Sequence, residues 1–456
     1  MALPARLTLG ALRSLIARGE ISTQEILTEV HARIDAYGNG NPVWLHLVPR
    51  ETARDALRAV EARQARGERL PLFGIPFAVK DNIDVAGLPT TAGWPAYRYV
   101  AYRSAAVVTR LERLGAILVG KTNMDQLATG LTGARSPLGP VTSIGNGKYV
   151  AGGSSSGSAV AVAAGLVCFA LGTDSGGSGR IPAAFNGVVG LKPTRGLVSL
   201  AGTVPNSRTL DCVSIFAGSV ADASEIFDSV KAFDPADPFS RPQADELVCK
   251  APTSTSFVVG VPQPTDLDFL GSAQSRASFE LALARLEALA ANVHEIDFAP
   301  FREVGSFILS GPWIAERIAG MRDAIEQHKE SLLPVIQAVF DRAADWSATD
   351  FFAFTYRLAA LRREAEKIFQ RIDVLVVPSA PRPMTVVEVA ADPIGRNVQL
   401  GTYSYFVNLL DLCAIAVPAG TADGDVPFGI TFIGEAFADA RLAAIAAVFE
   451  HRRRMI

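Results

Sequence analysis

The amino-acid sequence predicts an α/β fold in which a large mixed, mostly parallel sheet is sandwiched between helices. From residue 73 onward, short β-rich runs alternate with longer helical or glycine-rich segments, and this alternation favours strands that cross over through helices. Of the 456 residues, 49% are apolar and 20% are charged, so the chain can bury a large core. No internal repeat or low-complexity linker divides the chain, and we expect a single domain over 1–456. Its predicted parts are N-terminal helices, a core and a C-terminal portion, at about 5–65, 70–215 and 216–450.

Hydrophobic spacing and β-rich composition place the individual elements. Residues 8–36 carry apolar side chains at helical spacing and predict two helices, the second capped by Ser22 or Thr23. The other predicted helical stretches are 51–69, 159–165, 273–297 and 308–371. The predicted strands are 75–79, 116–119, 167–171, 257–261, 374–377, 415–417 and 428–433. Proline-rich segments at 234–242 and 378–393 predict surface loops.

Charge and composition argue against several classes of partner. The formal net charge is −3 and basic residues cluster only at 452–454, so no nucleic-acid partner is expected. The five histidines lack metal-ligand spacing, and we expect neither a metal nor another cofactor. The N-terminus lacks the layout of a signal peptide and no apolar run reaches about 18 residues, which predicts a soluble cytoplasmic protein. Buried free thiols are predicted at the four cysteines, Cys168, Cys212, Cys249 and Cys413.

Two serine- and glycine-rich clusters, at 152–158 and 172–180, are the candidates for chemistry. Such clusters are typical of turns, and a phosphate loop is a second interpretation, although GxxxxGK[ST] and GxGxxG are both missing. One cluster leads into a small-residue helix and the other follows a strand. Because glycine permits backbone turns with positive φ, the N–H groups of 175–178 could point at one spot, as in an oxyanion hole.

A serine nucleophile in such a loop also needs a base. No histidine lies near either cluster in sequence, which disfavours a Ser-His-Asp triad without excluding it. Lys80 ends the apolar run 75–79, and burial there would lower its pKa from about 10.4 toward about 7–8. Considered alone, a surface or structural lysine is the simpler interpretation of Lys80.

A family resemblance joins the clusters to this lysine. The stretch GGSSSGSAVAVAAGLVCFALGTDSGGSGRIPAAF at 152–185 resembles the signature of the amidase signature family, and FGIPFAVKDNIDVAGLPTTAG resembles its lysine segment. The resemblance runs from about residue 5 to 445 and implies the amidase signature fold with a Ser-cis-Ser-Lys triad. Ser178 would be the nucleophile, Ser154 the relay serine after a cis peptide bond, and Lys80 the base.

The resemblance also assigns supporting residues around this triad. Ser175, Gly176, Gly177 and Ser178 would supply the oxyanion N–H groups, and Ala128 would line the substrate pocket. Supporting hydrogen bonds are expected from Ser155 and Ser156. We expect Asp174 and Arg180 to pair with each other or with backbone groups and so to stiffen the loop.

Other stretches look like the allophanate hydrolase branch of this family, namely 121–137, 311–317 and 393–420. That branch uses the position of Arg317 to grip a substrate carboxylate, for which a planar guanidinium is suited. A helix-surface arginine beside Glu316 is the alternative. The sequence departs from the branch at Leu309, where a substrate-contacting tyrosine is usual, at Leu138, where an aromatic residue is usual, and at Asn206-Ser207.

The resemblance therefore implies an amide hydrolase that releases ammonia from a small carboxylate-bearing amide, with allophanate, an intermediate of urea degradation, as the expected substrate. Another short acid amide, malonamate-like or biuret-derived, is an alternative, and so is an amide-handling component of an amidotransferase-type complex. A non-catalytic binding module is disfavoured because Lys80, Ser154 and Ser178 are all present. A homodimer is expected from the resemblance alone. The second C-terminal domain of full-length allophanate hydrolases is expected to be absent from this chain.

Overall fold

A computed structural model describes residues 3–242, 257–289 and 292–453, without the side chains of Leu309, Ser310, Arg452 and Arg453. The helices are α1 (Leu9–Ala17), α2 (Thr23–Tyr37), α3 (Arg50–Ala65), α4 (Ala106–Arg113), α5 (Ser156–Ala163), α6 (Arg180–Phe185), α7 (Val220–Val230), α8 (Ala273–Glu287), α9 (Ala299–Ser310), α10 (Ile314–Ala319), α11 (Arg322–His328), α12 (Pro334–Asp341), α13 (Ala348–Phe369), α14 (Val386–Ala391), α15 (Gly395–Leu400), α16 (Phe406–Leu409) and α17 (Asp439–Arg453). The strands are β1 (Trp44–Leu47), β2 (Pro76–Lys80), β3 (Pro89–Thr90), β4 (Tyr99–Val100), β5 (Ile117–Thr122), β6 (Phe169–Asp174), β7 (Val189–Lys192), β8 (Cys212–Ala217), β9 (Val258–Pro262), β10 (Asn292–Ile296), β11 (Val374–Pro378), β12 (Cys413–Thr421) and β13 (Pro427–Gly434).

Eleven of these strands in the described part form one sheet, in the order β1-β5-β2-β6-β8-β7-β12-β13-β11-β9-β10. Parallel pairing joins β5, β2 and β6 in one block and β11, β9 and β10 in another. The strands between these blocks pair antiparallel, as does β1 at the edge. The predicted large mixed sheet with covering helices is confirmed, and its parallel crossovers lie in the two outer blocks.

The N-terminal helices begin where the sequence predicts. Ser22 caps α2: its Oγ accepts a hydrogen bond from the N–H of Glu25, and the Glu25 carboxylate accepts one from the N–H of Ser22. This reciprocal arrangement satisfies backbone donors that the first turn of a helix leaves unpaired. Of the two predicted capping residues, Ser22 is therefore the N-cap, and Thr23 is the first residue of α2.

Four strands of the sheet escape prediction from hydrophobic pattern, and one of them is mistaken for helix. The predicted helix at 273–297 ends at Glu287, and its last residues form the edge strand β10. Most residues of β10 are at least partly exposed, so its sequence contains polar and charged residues like those on the exposed face of a helix, and the pattern does not distinguish the two. The strands β1, β7 and β8 are also absent from the prediction. The predicted loop at 378–393 contains α14, which begins with a capping box of Thr385 and Glu388.

The core lies mainly on the two faces of the sheet, with further apolar clusters beneath the later helices. One of these clusters joins the α10–α12 region to the loop around Ala128 through Ile314 and Met321. Cys168, Cys212 and Cys413 are buried free thiols as predicted, whereas Cys249 lies outside the described residues. None of the helices within the described ranges is both long and apolar enough to cross a lipid bilayer.

Candidate active site

The side chain of Lys80 meets Ser154 at one edge of the sheet. Lys80 is the last residue of β2, which pairs in parallel with β6, so both strands end at the same edge. The Nζ of Lys80 lies 2.7 Å from the Oγ of Ser154 and 2.8 Å from the Oγ1 of Thr173 on β6. The peptide bond between Gly153 and Ser154 is cis. Lys80 and Ser154, distant in sequence, are thus in hydrogen-bonding contact with solvent excluded from both.

Burial determines the protonation state of Lys80. It lowers the pKa of the lysine to about 7, although the nearby carboxylates of Asp125, Asp211 and Asp174 act in the opposite direction. A large fraction of the amine is therefore neutral near pH 7. A neutral amine has a lone pair that can accept a proton from the hydroxyl it contacts, which an ordinary surface lysine cannot do at this pH.

Ser178 lies two residues before α6, in the turn that follows β6. Among the described residues, its Oγ has one hydrogen-bond partner, the carbonyl oxygen of Gly130 at 3.5 Å, which is the outer limit for a hydrogen bond. Within the described residues, no hydrogen bond joins the hydroxyls of Ser178 and Ser154. Ser178 is 4% exposed and its hydroxyl is only weakly held, so the hydroxyl is free to change partner when a substrate enters.

The turn at 174–179, which we call the oxyanion loop, is held from within by a carboxylate. The N–H of Gly177 donates to Asp174 Oδ1 at 2.8 Å, and the N–H of Gly179 donates to Asp174 Oδ2 at 3.0 Å. The expectation that all four N–H groups of 175–178 point at one spot therefore does not hold for Gly177, because Asp174 already accepts its proton. In the described structure, the N–H groups of Ser175, Gly176 and Ser178 have no acceptor.

Asp174 in turn pairs with Arg180, as predicted. Two hydrogen bonds of 2.9 Å join the guanidinium to the carboxylate, and neither side chain is exposed. Although burial acts to raise the pKa of Asp174, the guanidinium lowers it to about 2. The same guanidinium donates to the carbonyl of Ser404 and to the side-chain oxygen of Asn408, each at 3.0 Å. Arg180 thus links the oxyanion loop to the segment around α16.

Side chains from that segment hold the outer surface of the oxyanion loop, and the sequence did not reveal them. Ser404 Oγ donates to the carbonyl of Gly176 at 2.8 Å, and Asn408 Nδ2 donates to the carbonyl of Asp174 at 2.8 Å. Both residues lie in 393–420, a stretch recognised only as resembling one branch of a family. Of the two serines expected to support the site, Ser155 hydrogen-bonds the backbone of Thr173, whereas the Ser156 hydroxyl has no partner among the described residues.

The loop that carries Ala128 forms an adjacent wall. Ala128 and Leu127 both have positive φ, of 52° and 54°, a conformation that costs free energy in residues other than glycine. Asn206 Nδ2 donates to the carbonyl of Leu127 at 2.9 Å and lies 3.2 Å from Thr129 Oγ1, so it spans the strained pair. The departure from the family pattern at Asn206 thus falls on a residue that supports this wall, whereas Leu138 is exposed.

Arg317, on α10, is a half-buried cation without a fixed partner. Glu316 beside it accepts hydrogen bonds from Thr209 at 2.7 and 2.8 Å, and no hydrogen bond or ion pair of Arg317 occurs within the described ranges. Burial lowers the pKa of Arg317. Among its electrostatic neighbours, Tyr405 has the largest effect and raises this pKa, and Arg135 comes next and lowers it. The side chain of Leu309, where the tyrosine is missing, lies outside the described residues. The guanidinium is therefore available to an anion.

The part of the chain that the structure describes contains no group of three or more His, Cys, Asp or Glu side chains that could hold a metal ion. The acidic groups nearest the oxyanion loop are already engaged. Asp174 binds Arg180, and Asp211 accepts a hydrogen bond from the hydroxyl of Ser175 at 2.5 Å. Among the described residues, the arrangement offers a weakly held serine hydroxyl, a second serine, a largely neutral amine and backbone donors without acceptors.

Comparison with known proteins shows which family the chain resembles. The family described as Amidase matches residues 25–443. The urea amidolyase of Saccharomyces cerevisiae is 41% identical over 431 residues, which is 93% of this chain but 23% of the yeast protein. The allophanate hydrolase of Kluyveromyces lactis superposes with a TM-score of 0.91 at 36% identity, covering 97% of this chain and 72% of that one. One component of the glutamyl-tRNA(Gln) amidotransferase of Moorella thermoacetica is 33% identical over 491 residues, or 98% of each chain.

The chain thus spans less than a quarter of the yeast urea amidolyase that it matches. The family match is independent of that difference in length, because it extends over most of this chain and includes Lys80, Ser154 and Ser178. On the sequence match and the superposed fold together, the chain belongs to the amidase family.

Proposed function

We propose that this protein hydrolyses the amide bond of a small, carboxylate-bearing amide and releases ammonia, with allophanate as its substrate. The observation that carries the proposal is the buried contact between Lys80 and Ser154, at 2.7 Å, beside a serine whose hydroxyl is weakly held. Relatives named urea amidolyase and allophanate hydrolase support the choice of substrate.

In the proposed mechanism, neutral Lys80 accepts a proton from Ser154 while Ser154 accepts one from Ser178. The Ser178 oxygen attacks the amide carbon, and the carbonyl oxygen becomes an oxyanion held by the free N–H groups of the oxyanion loop. Each such donor contributes on the order of 3 kcal/mol to stabilisation of the transition state. As the carbon–nitrogen bond breaks, the same relay returns a proton to nitrogen, ammonia leaves, and an acyl-enzyme remains on Ser178.

A water molecule then completes the reaction. It attacks the acyl carbon while Ser154 accepts its proton and gives its own proton to Lys80, and as the second oxyanion collapses Lys80 returns a proton through Ser154 to the leaving Ser178 oxygen. The product is the free acid, and the enzyme regains its starting protonation. Over the whole cycle, water supplies the hydroxyl of the product acid and replaces the proton that Ser178 gave up to ammonia.

Selection of the substrate is assigned to Arg317. A guanidinium that has no hydrogen-bond or ion-pair partner among the described residues and is partly shielded from water can bind a carboxylate through two charge-assisted hydrogen bonds. Arg135, a second buried cation, makes the surroundings of Arg317 more positive. The electrostatic field of this region therefore favours an anionic amide over a neutral one.

The direct test measures ammonia released by the purified protein from allophanate, malonamate, biuret and a neutral short amide, with an enzyme-free blank for each. Ser178→Ala serves as the matched control, since it removes only the attacking oxygen. We expect allophanate to be the best substrate and the variant to be inactive. Faster turnover of malonamate or biuret than of allophanate would show that allophanate is not the substrate. Ammonia release by Ser178→Ala at the wild-type rate would refute the proposed mechanism.

The similarity to an amidotransferase component over 98% of both chains favours one second candidate, an amide-handling protein that passes ammonia to a partner. Such a protein would hydrolyse glutamine, and its activity would rise when its partner is added. Glutamine in the same substrate panel separates the two functions. We expect less ammonia from glutamine than from allophanate, because the α-ammonium group of glutamine is repelled by the positive surroundings of Arg317 and so offsets the attraction of its α-carboxylate.

The proposal includes a cytoplasmic enzyme that forms a homodimer and needs no cofactor. The dimer is supported only by the resemblance to the family. Light scattering coupled to size-exclusion chromatography would give the mass of the purified protein, and a mass of one chain would remove the dimer from the proposal.

A further inference from the structure

Asp211 is a buried carboxylate that none of the proposed chemical steps uses. It lies one residue before β8 and is 3% exposed. Its Oδ1 accepts the hydroxyl of Ser175 at 2.5 Å, and its Oδ2 accepts the N–H of Asn206 at 2.9 Å. The N–H of Ser207 reaches both oxygens at 3.1 Å. Three donors therefore point at one carboxylate.

These three donors belong to two different walls of the site. Ser175 is the first residue of the oxyanion loop after Asp174. Asn206 reaches the other wall, because its side chain holds the carbonyl of Leu127 and contacts Thr129 on either side of Ala128. Asp211 is thus the common attachment of the oxyanion loop and the Ala128 wall.

We propose that ionised Asp211 is a positioning residue, which holds Ser175 and the 206–207 turn so that the backbone donors of the oxyanion loop face the substrate carbonyl. The proposal rests on the proposed amide hydrolysis at the same site. It adds a residue that does not touch the reacting atoms but determines where the oxyanion donors lie.

The carboxylate must be charged for this role. If Asp211 were protonated, its O–H would face groups that are themselves hydrogen-bond donors, so at least one of the three hydrogen bonds would be lost. The attachment between the two walls would then be weakened. Burial raises the pKa of Asp211 to about 6, even though its three hydrogen bonds act to lower it. Protonation thus falls within the range in which the enzyme can be assayed.

Other charges act on Asp211 from each side. Glu316, on α10, raises its pKa, and Arg317 on the same helix faces it with the opposite charge. Lys80 approaches from β2. Arg208 lines, with Asp211, a pocket of about 160 Å³ that opens beside the 206–207 turn. This pocket therefore brings solvent-accessible space next to Asp211.

The test compares Asp211→Asn with a matched control, Asp237→Asn. Asp237 lines the same pocket, is also buried, and accepts the N–H groups of Leu200 and Phe239, none of which contacts the oxyanion loop. We expect Asp211→Asn to lower kcat at least about tenfold with KM for the amide nearly unchanged, because a small displacement of oxyanion donors slows chemistry rather than binding. Asp237→Asn should keep the wild-type kcat.

The pH profile supplies a readout that a merely structural role would not change. In the wild type, log kcat should fall with a slope of about 1 between pH 7 and 6, as Lys80 gains a proton, and with a slope clearly greater than 1 just below about pH 6, where Asp211 also does. In Asp211→Asn the slope should stay at 1. Ser175→Ala should show part of the loss, Ser175→Thr should restore it, and the double variant should be no worse than Asp211→Asn alone.

An unchanged kcat in Asp211→Asn, a wild-type slope of 1 throughout, or an equal loss in Asp237→Asn would overturn the role of Asp211 while leaving amide hydrolysis intact. A wild-type protein that releases no ammonia from any carboxylate-bearing amide would instead remove the proposed function itself. The two failures are therefore distinguishable.

Discussion

The amine of Lys80 lies 2.7 Å from the hydroxyl of Ser154 although the two residues are 74 positions apart in the chain, and neither side chain is exposed to solvent. The contact arises because β2 and β6 are neighbours in a parallel block and both end at the active-site edge of the sheet. A lysine at this place costs the fold free energy, since burial lowers its pKa to about 7. That cost has a chemical use, because only the neutral amine can accept a proton.

Replacing Lys80 with methionine should abolish most of the activity. We expect kcat to fall by about 10²–10⁴-fold, the contribution of a positioned base, while the free energy of unfolding does not decrease. Lys192→Met is the control. Lys192 is equally buried but donates hydrogen bonds to the carbonyls of Leu412 and Pro193. Its replacement should therefore lower the free energy of unfolding and leave kcat unchanged. Ammonia release and urea unfolding of both variants measure this, and an active Lys80→Met would exclude the lysine as base.

The pH dependence of wild-type activity should follow Lys80. Since its pKa is lowered to about 7, kcat should be half-maximal near pH 7 and rise to a plateau at higher pH, where the amine is neutral. A lysine with its ordinary pKa of about 10.4 would keep activity rising beyond pH 9. Initial rates from pH 6 to 10 distinguish these cases, and a midpoint near 10 would contradict the proposed burial effect.

Replacing Arg317 with glutamine should weaken binding of acidic amides selectively. The loss of charge-assisted hydrogen bonds to a carboxylate, about 1.5–3 kcal/mol, corresponds to an increase in KM of about ten- to a hundredfold. A neutral amide should lose nothing, since it makes no such contact. Arg322→Gln, an exposed arginine on the adjoining α11, is the control and should retain both activities. An unchanged KM for the acidic amide in Arg317→Gln would place the carboxylate site elsewhere.

Replacing Arg180 with methionine should destabilise the fold more than the loss of an exposed ion pair does. It leaves the carboxylate of Asp174 buried without its partner, which costs about 3–5 kcal/mol of unfolding free energy. The folded pKa of Asp174 is about 2, so this contribution is complete above about pH 4 and is lost only as the pH falls through 2. Arg357→Met breaks the exposed pair with Glu303 and should leave stability unchanged. Urea unfolding at pH 7 measures both, and equal effects would contradict the burial argument.

Replacing Gly177 with alanine should lower kcat by distorting the oxyanion loop. The φ angle of Gly177 is 134°, which side-chain-bearing residues rarely adopt, and an added Cβ would press on Ser404 Oγ and on Ile181. The displaced loop would no longer aim its donors at the carbonyl. Gly10→Ala in α1 is the control: its Cβ would meet open space and should stabilise the helix by about 1 kcal/mol. Wild-type kcat in Gly177→Ala would show that the loop tolerates the change.

How far the fold could be predicted from the sequence depended on where each strand lies. Strands buried on both faces, such as β2, β6 and β11, are continuous apolar runs and were predicted. The edge strands β1 and β10 are partly exposed, so they lack such a run, and β10 was mistaken for the end of a helix. Hydrophobic spacing and composition identify an edge strand less clearly than a central strand, because many residues of an edge strand face solvent and can be polar.

For the site, the sequence indicated residues inside one motif better than those that meet it in space. The Asp174–Arg180 pair was predicted because both residues lie in the same cluster. The buttressing residues Ser404 and Asn408 lie more than 200 positions away and carry no motif of their own. Their role depends on which segment packs against the oxyanion loop, and that follows from tertiary packing. The same holds for the Gly177 N–H, whose acceptor depends on the rotation of Asp174.

The apolar cluster beneath α10 has a consequence for how such an enzyme can diversify. Ile314, one turn from Arg317, packs with Ala128 in a cluster that does not include the strand residues beside Lys80. The helix of Arg317, to which we assign substrate selection, and the strand of Lys80, to which we assign the base, therefore belong to different packing units. If Arg317 selects the substrate as proposed, substitutions on α10 can alter which amide is accepted without repacking β2, so that new substrates arise while the bond-breaking chemistry is inherited unchanged.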